Sequence, residues 1–499
     1  MARDDLVQFS LIHVEILMFS QEILINQVSR ETRVAFVSTG VLTELHIEKR
    51  QQQSLVGNIY YGRVSRVVSS IQAAFIDIGL NRAGFLHFKD FLSNSNQSKN
   101  IQDLLQVGQK ILVQVTKDTF GVKGVRLTML LNIPGRFLVL TPNVLQLSVS
   151  QKINNLLEAQ RLKNLLQPSE FGGYIFRTAA ENISAELLLA EKKYLDNLWQ
   201  NILSKLKKSE SQRLIYTEMP LEIRILRDSL NENFSRILVD DADAFMRIKQ
   251  FIFTYFPKFS ERVFFHDELN PIFDLYGIEQ EIQKSLQRTV YLKSGGYLVF
   301  DQSEAMTTID VNSGSAINHK TQPETAMQVN LAAVPVIARQ VCLRNLGGII
   351  IIDFIDLAEL SQQEILLNEL KKAFAEDFSR TEISEITSLG LVQMTRKRGR
   401  NSLLNILCDP CPTCRCRGSV KSIETIACDM LRSAQRTIVQ RCWSGLRIQA
   451  SPDLIDFINT QAPDLLAELV ARVGCQVELI GDSRYLPEHY DILPMLKEN

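Results

Sequence analysis

Two short stretches constrain this chain more than anything else in it. One reads Thr307-Thr308-Ile309-Asp310-Val311-Asn312-Ser313-Gly314, and the other Gly347-Gly348-Ile349-Ile350-Ile351-Ile352-Asp353-Phe354-Ile355-Asp356. Each is an apolar or β-branched run with the composition of a strand, and each stops in acidic or amide residues. A carboxylate at the mouth of a buried strand is costly unless it is paired or holds a metal. Two such strands in one sheet would bring Asp310 and Asp353 together as a site for a hard cation. Asp310 and Asn312 lie two apart, so on a strand they point to one face. The four isoleucines before Asp353 predict a strand buried on both faces. In open α/β sheets ligands sit beyond the carboxyl ends of strands, and all three residues fit that place. Mg²⁺ prefers one or two carboxylates completed by waters and substrate phosphate oxygens. Held there, it would polarise a phosphodiester and supply hydroxide near neutral pH. Asp356 reads as the start of the next loop and as a cap for a helix near 360. The residues alone leave open whether these are metal ligands or ordinary polar caps.

The chain has 499 residues, too many for one core, and its length predicts three or four domains. With 55 Lys+Arg against 56 Asp+Glu the net charge is −1, so any nucleic-acid surface must be a local patch. No apolar run reaches membrane-spanning length without a charged or polar break. Residues 6–19 are fairly apolar, but His13 and Glu15 interrupt them, and Asp4 and Asp5 stand where a signal peptide would be basic. Residues 1–17 read as a non-cleaved extension, or as translation upstream of a start at Met18. Eight cysteines, four of them between 408 and 416, do not make a disulfide framework. That usage suits a reducing cytoplasm and one metal site.

Along the chain, residues 23–47 alternate as a hairpin with a turn near 38–40. Residues 56–129, rich in short strands and glycine, predict a small all-β barrel, with 93–100 as a surface loop. Residues 130–222 are mixed, with strands at 137–141 and 173–178 and helices near 151–165 and 184–208. Residues 291–405 read as strand–helix–strand units with helices near 324–343 and 360–376, which argues an α/β sheet. A smaller α/β region fills 419–499.

The barrel carries Gly57-Asn58-Ile59-Tyr60-Tyr61-Gly62-Arg63-Val64, Ala73-Ala74-Phe75-Ile76-Asp77-Ile78-Gly79 and Gly84-Phe85-Leu86-His87. These strings resemble an S1 RNA-binding domain, in which aromatic faces stack on unpaired bases. The resemblance implies stacking roles for Phe75 and Phe85, with Lys117 and Lys123 beside the RNA path. Either phenylalanine taken alone would read as barrel core. Farther on, Cys408, Cys411, Cys414 and Cys416 crowd around prolines and Gly418. Cys411-x-x-Cys414 suits one Zn²⁺. Its other ligands would come from Cys408 or Cys416 of the same chain, or from the same pair on a second chain.

Taken in order, the S1-like strings, Arg177-Thr178-Ala179-Ala180-Glu181, Ser294-Gly295-Gly296-Tyr297, the two acidic strand ends, Met394-Thr395-Arg396-Lys397-Arg398 and Cys411-Pro412-Thr413-Cys414 resemble the ribonuclease E/G family. The resemblance runs from about Met18 to the C-terminus. It implies a multidomain α/β fold: an S1 (OB-fold) barrel at 54–129 inserted in an RNase H-like subdomain (18–53 and 223–286), a 5′-phosphate sensor region at 130–222, a DNase I-like catalytic subdomain at 287–407, a zinc link at 408–418 and a small domain at 419–499. It implies a cytoplasmic endoribonuclease that cuts single-stranded, AU-rich RNA with Mg²⁺, leaves 5′-phosphate and 3′-hydroxyl ends, and is stimulated by a 5′-monophosphate. Its tasks would be maturation of the 16S rRNA 5′ end and mRNA decay. Asp310 and Asp353 would hold Mg²⁺ and Asn312 would assist at the scissile phosphate. Gly135, Val139, Arg177 and Thr178 would bind the terminal phosphate, and Arg380 would contact RNA. Cys411 and Cys414 would share zinc with a second chain in a homodimer. An arginine fork and a threonine hydroxyl are the right donors for phosphate oxygens. The chain departs from the family pattern at Ala332, Pro335, Cys416, Met129-Leu130-Leu131 and Gln151-Lys152. The competing expectation is an RNA-binding scaffold without full catalytic power.

Overall fold

A computed structural model describes residues 21–50, 53–91, 100–118, 124–142, 144–208, 213–315, 322–375, 377, 379–414, 417–441 and 443–495. The expectations for residues 1–17, Met18, the loop 93–99, Lys123 and Cys416 lie outside them. The chain forms two compact units, Met1–Leu403 and Leu404–Asn499.

In the first unit, a five-stranded sheet joins two distant segments. Its order is Val263–Phe265, Phe234–Val239, Gln21–Val28, Glu31–Ser38 and Val41–Lys49. The hairpin at 38–40 is present: Thr39 and Gly40 both have positive φ, 49° and 74°, the turn whose twist matches paired strands. The barrel is also present. Strand Ile59–Val68 pairs with Ala73–Asp77 on one side and Lys110–Lys117 on the other, and Gly84–His87 and Arg126–Thr128 complete a closed five-stranded ring. Tyr60, Val64, Ile76, Leu86, Val113 and Leu127 fill it. A small sheet follows, built around Leu138–Pro142 and Gly172–Phe176. It packs on helices Leu156–Leu165, started by an Asn155 cap, and Ala185–Lys208.

The last sheet of this unit has six strands, in the order Thr289–Tyr291, Tyr297–Gln302, Met306–Asn312, Gly348–Asp353, Leu391–Arg396 and Thr381–Ile386. Val329, Ala333, Ile337 and Val341 of helix Gln322–Leu343, with Leu366 and Leu370 of helix Leu360–Ala373, cover one face. Leu298, Phe300, Ile309, Val311, Ile350 and Ile352 meet them from the sheet. This corrects the reading of the isoleucine run. Ile350 and Ile352 are fully buried, but Ile349 is 47% exposed, because both helices lie on the same side. The strand alternates, and its second face is open. Helix Gln322–Leu343 continues through Pro335. Its segment Glu324–Leu343 is long and apolar enough to cross a membrane by length and composition, yet here it packs as a core helix. Asp356 does not cap the next helix, whose N-cap position is Glu359.

The second unit is a three-stranded sheet, Gln476–Gly481, Gly445–Ala450 and Tyr490–Pro494, with helices Ile423–Arg441, Pro452–Thr460 and Pro463–Val473. Met430, Ala434, Leu446, Ile448, Leu454 and Ile458 form its core.

Candidate active site and nucleic-acid surface

Strands Met306–Asn312 and Gly348–Asp353 run parallel, with Asp310 directly opposite Asp353 at their carboxyl ends. Ile309, Val311 and Ile352 point into the core, so both aspartates face the open side and are exposed. Asn312 Nδ2 donates a 2.8 Å hydrogen bond to Asp310 Oδ2, which leaves its own amide oxygen turned elsewhere. Burial, and then the charges of Asp310 and Asp356, push the Asp353 carboxyl above its ordinary value. Asp356 Oδ1 lies near Gly390, 3.3 Å from where a Cβ would stand. Among the described residues no lysine or arginine ion-pairs with any of the three. Two directly opposed carboxylates that lack a cationic partner among the described residues fit a hard cation. Among the described residues no group of three or more His, Cys, Asp or Glu side chains is arranged to hold a metal. A cation here would therefore rest on two carboxylates and take its other ligands from water and substrate.

On the barrel, Phe75 and Phe85 are opposed across neighbouring strands, ring centroids 5.9 Å apart and nearly edge-to-face. They alternate with buried Ala74, Ile76 and Leu86 and are themselves half-buried, so they form an outer platform and not the core. Arg66 lies opposite Phe75, Arg126 beside Phe85, and Lys117 opposite Arg126. Cations and aromatics thus form one row across the strands.

The structure also brings Gly135, Arg177 and Thr178 together. Arg177 Nη1 donates to the Gly135 carbonyl at 2.7 Å and ion-pairs with Asp228 at 2.7 Å. Thr178 Oγ1 lies 3.3 Å from Ser150 Oγ. Val139 is on the strand that follows Gly135, opposite Ile175 and Pro134. Arg380 sits at the edge of the six-stranded sheet, ion-paired with Glu382 and highly exposed, and among the described residues no contact joins it to this pocket. In the second unit, the backbone N–H groups of Cys414 and Thr413 hold the Cys411 thiol below its usual range, with the Cys414 side chain adding to the effect. The Cys-x-x-Cys spacing of Cys411 and Cys414 fits Zn²⁺.

Three family models match the chain in succession: an S1 RNA binding domain over residues 55–129, the Ribonuclease E/G family over 132–399, and the RNase E/G thioredoxin-like domain over 410–495. Ribonuclease G of Haemophilus influenzae is 41% identical over 95% of this chain and 99% of its own length. The chain belongs to the ribonuclease E/G family. Ribonuclease G of Salmonella typhimurium is 40% identical with the same coverage. Ribonuclease E of Escherichia coli is 35% identical over 96% of this chain but only 46% of its own length. The chain thus spans nearly the whole length of the ribonuclease G relatives and about half that of ribonuclease E.

Three residues of this family member escaped the sequence reading. Asn330, fully buried on the long helix, donates from Nδ2 to the Ile355 carbonyl at 2.7 Å and accepts the Ile355 N–H at 3.0 Å, which fixes the segment between Asp353 and Asp356. An amide in an apolar helical stretch was the available signal. Glu191 accepts three backbone N–H groups around Gly135. His87 extends the aromatic platform, 6.4 Å from Phe85. It stands in the same quoted string as Phe85, two residues on and hence on the same strand face.

Proposed function

We propose that this family member is a Mg²⁺-dependent endoribonuclease for single-stranded, AU-rich RNA, stimulated by a 5′-monophosphate. It would act in the cytoplasm in 16S rRNA 5′-end maturation and mRNA decay. The observation that carries the reading is the pairing of Asp310 with Asp353 at adjacent strand ends, on an open face and without a cationic partner among the described residues. Mg²⁺ bound there would polarise the phosphodiester and lower the pKa of a water. Asp310 and Asp353 would hold it, and Asn312, already bonded to Asp310, would orient that carboxylate and turn its amide toward the phosphate. Asn330 keeps Asp353 and Asp356 in register. The Phe75–Phe85 row with Lys117 would hold unpaired bases and backbone. Arg177, Thr178, Gly135 and Val139 would receive the 5′-phosphate once Arg177 exchanges Asp228 for it. Cleavage would leave 5′-phosphate and 3′-hydroxyl ends. The six-stranded sheet would be the DNase I-like region and the five-stranded sheet the RNase H-like one, and Cys411 and Cys414 would hold a zinc shared in a homodimer.

The test is cleavage of a short 5′-phosphorylated AU-rich RNA by Asp310→Asn and Asp353→Asn. Both should lose cleavage while RNA binding persists, and unchanged cleavage in both would sink the reading. The barrel row is complete without the carboxylates, which favours a scaffold as the second reading. Discrete 5′-phosphorylated products that require Mg²⁺ would exclude it.

A further inference from the structure

The carboxylates share their open face with two tyrosines. Residues directly opposed in neighbouring strands present their side chains to the same side of a sheet. Asp353 is opposed to Asp310. Asn312, two residues beyond Asp310, is opposed to Tyr297, and Tyr297 to Tyr291 on the edge strand. Leu292, Leu298 and Phe300 alternate with these tyrosines and are buried against the helices. Asp353, Asp310 with Asn312, Tyr297 and Tyr291 therefore occupy successive strands of one face, from the acidic centre to the edge.

The two rings lie 6.2 Å apart, inclined by 55°. Tyr291 is 78% exposed. Tyr297 is seated over Gly314, two residues past Asn312, where a Cβ would stand 3.4 Å from Tyr297 Cδ1. Neighbouring strands are about 4.8 Å apart, so Tyr291 stands roughly 10 Å from Asn312. Asp310 lies about 7 Å along the strand from Asn312, so the two tyrosines stand roughly 8–12 Å from it, within one or two nucleotides of a phosphate held at the carboxylates.

An exposed tyrosine on an edge strand is ordinarily a cross-strand packing partner. Its neighbours here give it a second use. Two carboxylates offset the charge of one divalent cation, so the centre has little net attraction for the flanking phosphates, and a strand kept close to it gains from a contact that does not depend on charge. Stacking of a base on an aromatic face supplies that, with little regard for sequence. We propose that Tyr291 and Tyr297 form a stacking subsite for one unpaired nucleobase beside the scissile phosphate, separate from the barrel platform. The proposal rests on the reading of Asp310 and Asp353 as the cleavage centre.

The full-length protein is assayed with a 5′-phosphorylated AU-rich oligoribonucleotide, and with versions abasic at single positions on either side of the cut. Tyr291→Ala should lower kcat/KM about 5- to 150-fold, mostly through KM, the size of one lost stacking contact. Tyr291→Phe should restore it and Tyr291→Leu should not. On the oligonucleotide abasic at the stacked position, wild type and Tyr291→Ala should become equal. A Tyr291→Ala loss that is the same on every abasic oligonucleotide, or no loss on the intact one, overturns the proposal. Binding of a 2-aminopurine-labelled RNA to Asp353→Asn protein separates the two readings. Quenching that depends on Tyr291 shows stacking even if cleavage fails to depend on Asp353, and its absence refutes the subsite whatever cleavage does.

Discussion

Glu191→Gln is the sharpest probe of how this fold holds the Gly135 turn. The Glu191 side chain is 3% exposed, and its two oxygens accept the N–H groups of Arg136 at 2.6 Å, Phe137 at 2.7 Å and Leu138 at 2.8 Å. A Cβ on Gly135 would stand 2.7 Å from the Glu191 carboxyl carbon, so the turn is moulded around it. Glutamine keeps the shape but replaces one accepting oxygen by a donor. With its oxygen toward Phe137 and Leu138, only the Arg136 N–H is orphaned, at about 1–3 kcal/mol. Burial pushes the glutamate carboxyl above its ordinary range against the pull of the three N–H groups. Glutamine escapes that desolvation, which trims the cost toward about 1 kcal/mol. Glu191→Ala orphans all three donors and should cost about 3 kcal/mol or more. Urea unfolding reads the stability. Cleavage of 5′-phosphorylated against 5′-hydroxyl RNA reads the pocket, because Arg177 bonds to the Gly135 carbonyl. The ratio should fall toward one while cleavage of 5′-hydroxyl RNA is unchanged. A glutamine variant as stable as wild type, with full 5′-end preference, would refute the assignment of Glu191 as the holder of this turn.

Phe85→Ala should weaken binding of single-stranded RNA by about 1–3 kcal/mol, measured by fluorescence anisotropy, with little change in unfolding midpoint because the ring is outside the barrel core. His46 is buried beside Arg400, with Arg224 also near and Nε2 2.7 Å from Glu44; burial first, then Arg400, push its imidazole below the ordinary 6.5. The unfolded chain then takes a proton that the folded one refuses, so stability should be level above pH 6.5 and decline as pH falls below it. A His46→Gln variant should flatten that slope in urea titrations at pH 7.5 and 5.5. On the shared-zinc proposal, wild-type protein should be a dimer with about half an equivalent of zinc per chain, and Cys411→Ser with Cys414→Ser should abolish the zinc and give a monomer by sedimentation.

The acidic strand ends were legible because each is a local pattern, a β-branched run that stops in a carboxylate. The barrel strands were legible for the same reason, whereas Phe75 and Phe85 taken alone read as core and only the family resemblance set them outside it. Which residues meet was not. Asp310 opposes Asp353 only because the two strands are neighbours in parallel register, and that register is set by helices packing on one face of the sheet. The isoleucine run looked buried on both sides because composition does not report how many faces are covered. Asn330 and Glu191 looked like ordinary helix residues until the backbone groups they satisfy, far away in sequence, were brought to them. Tyr291 joins the acidic face through two successive strand pairings. Local sequence chose the strands and their end groups. Long-range pairing, driven by burial of one apolar face, decided which of those groups share a surface.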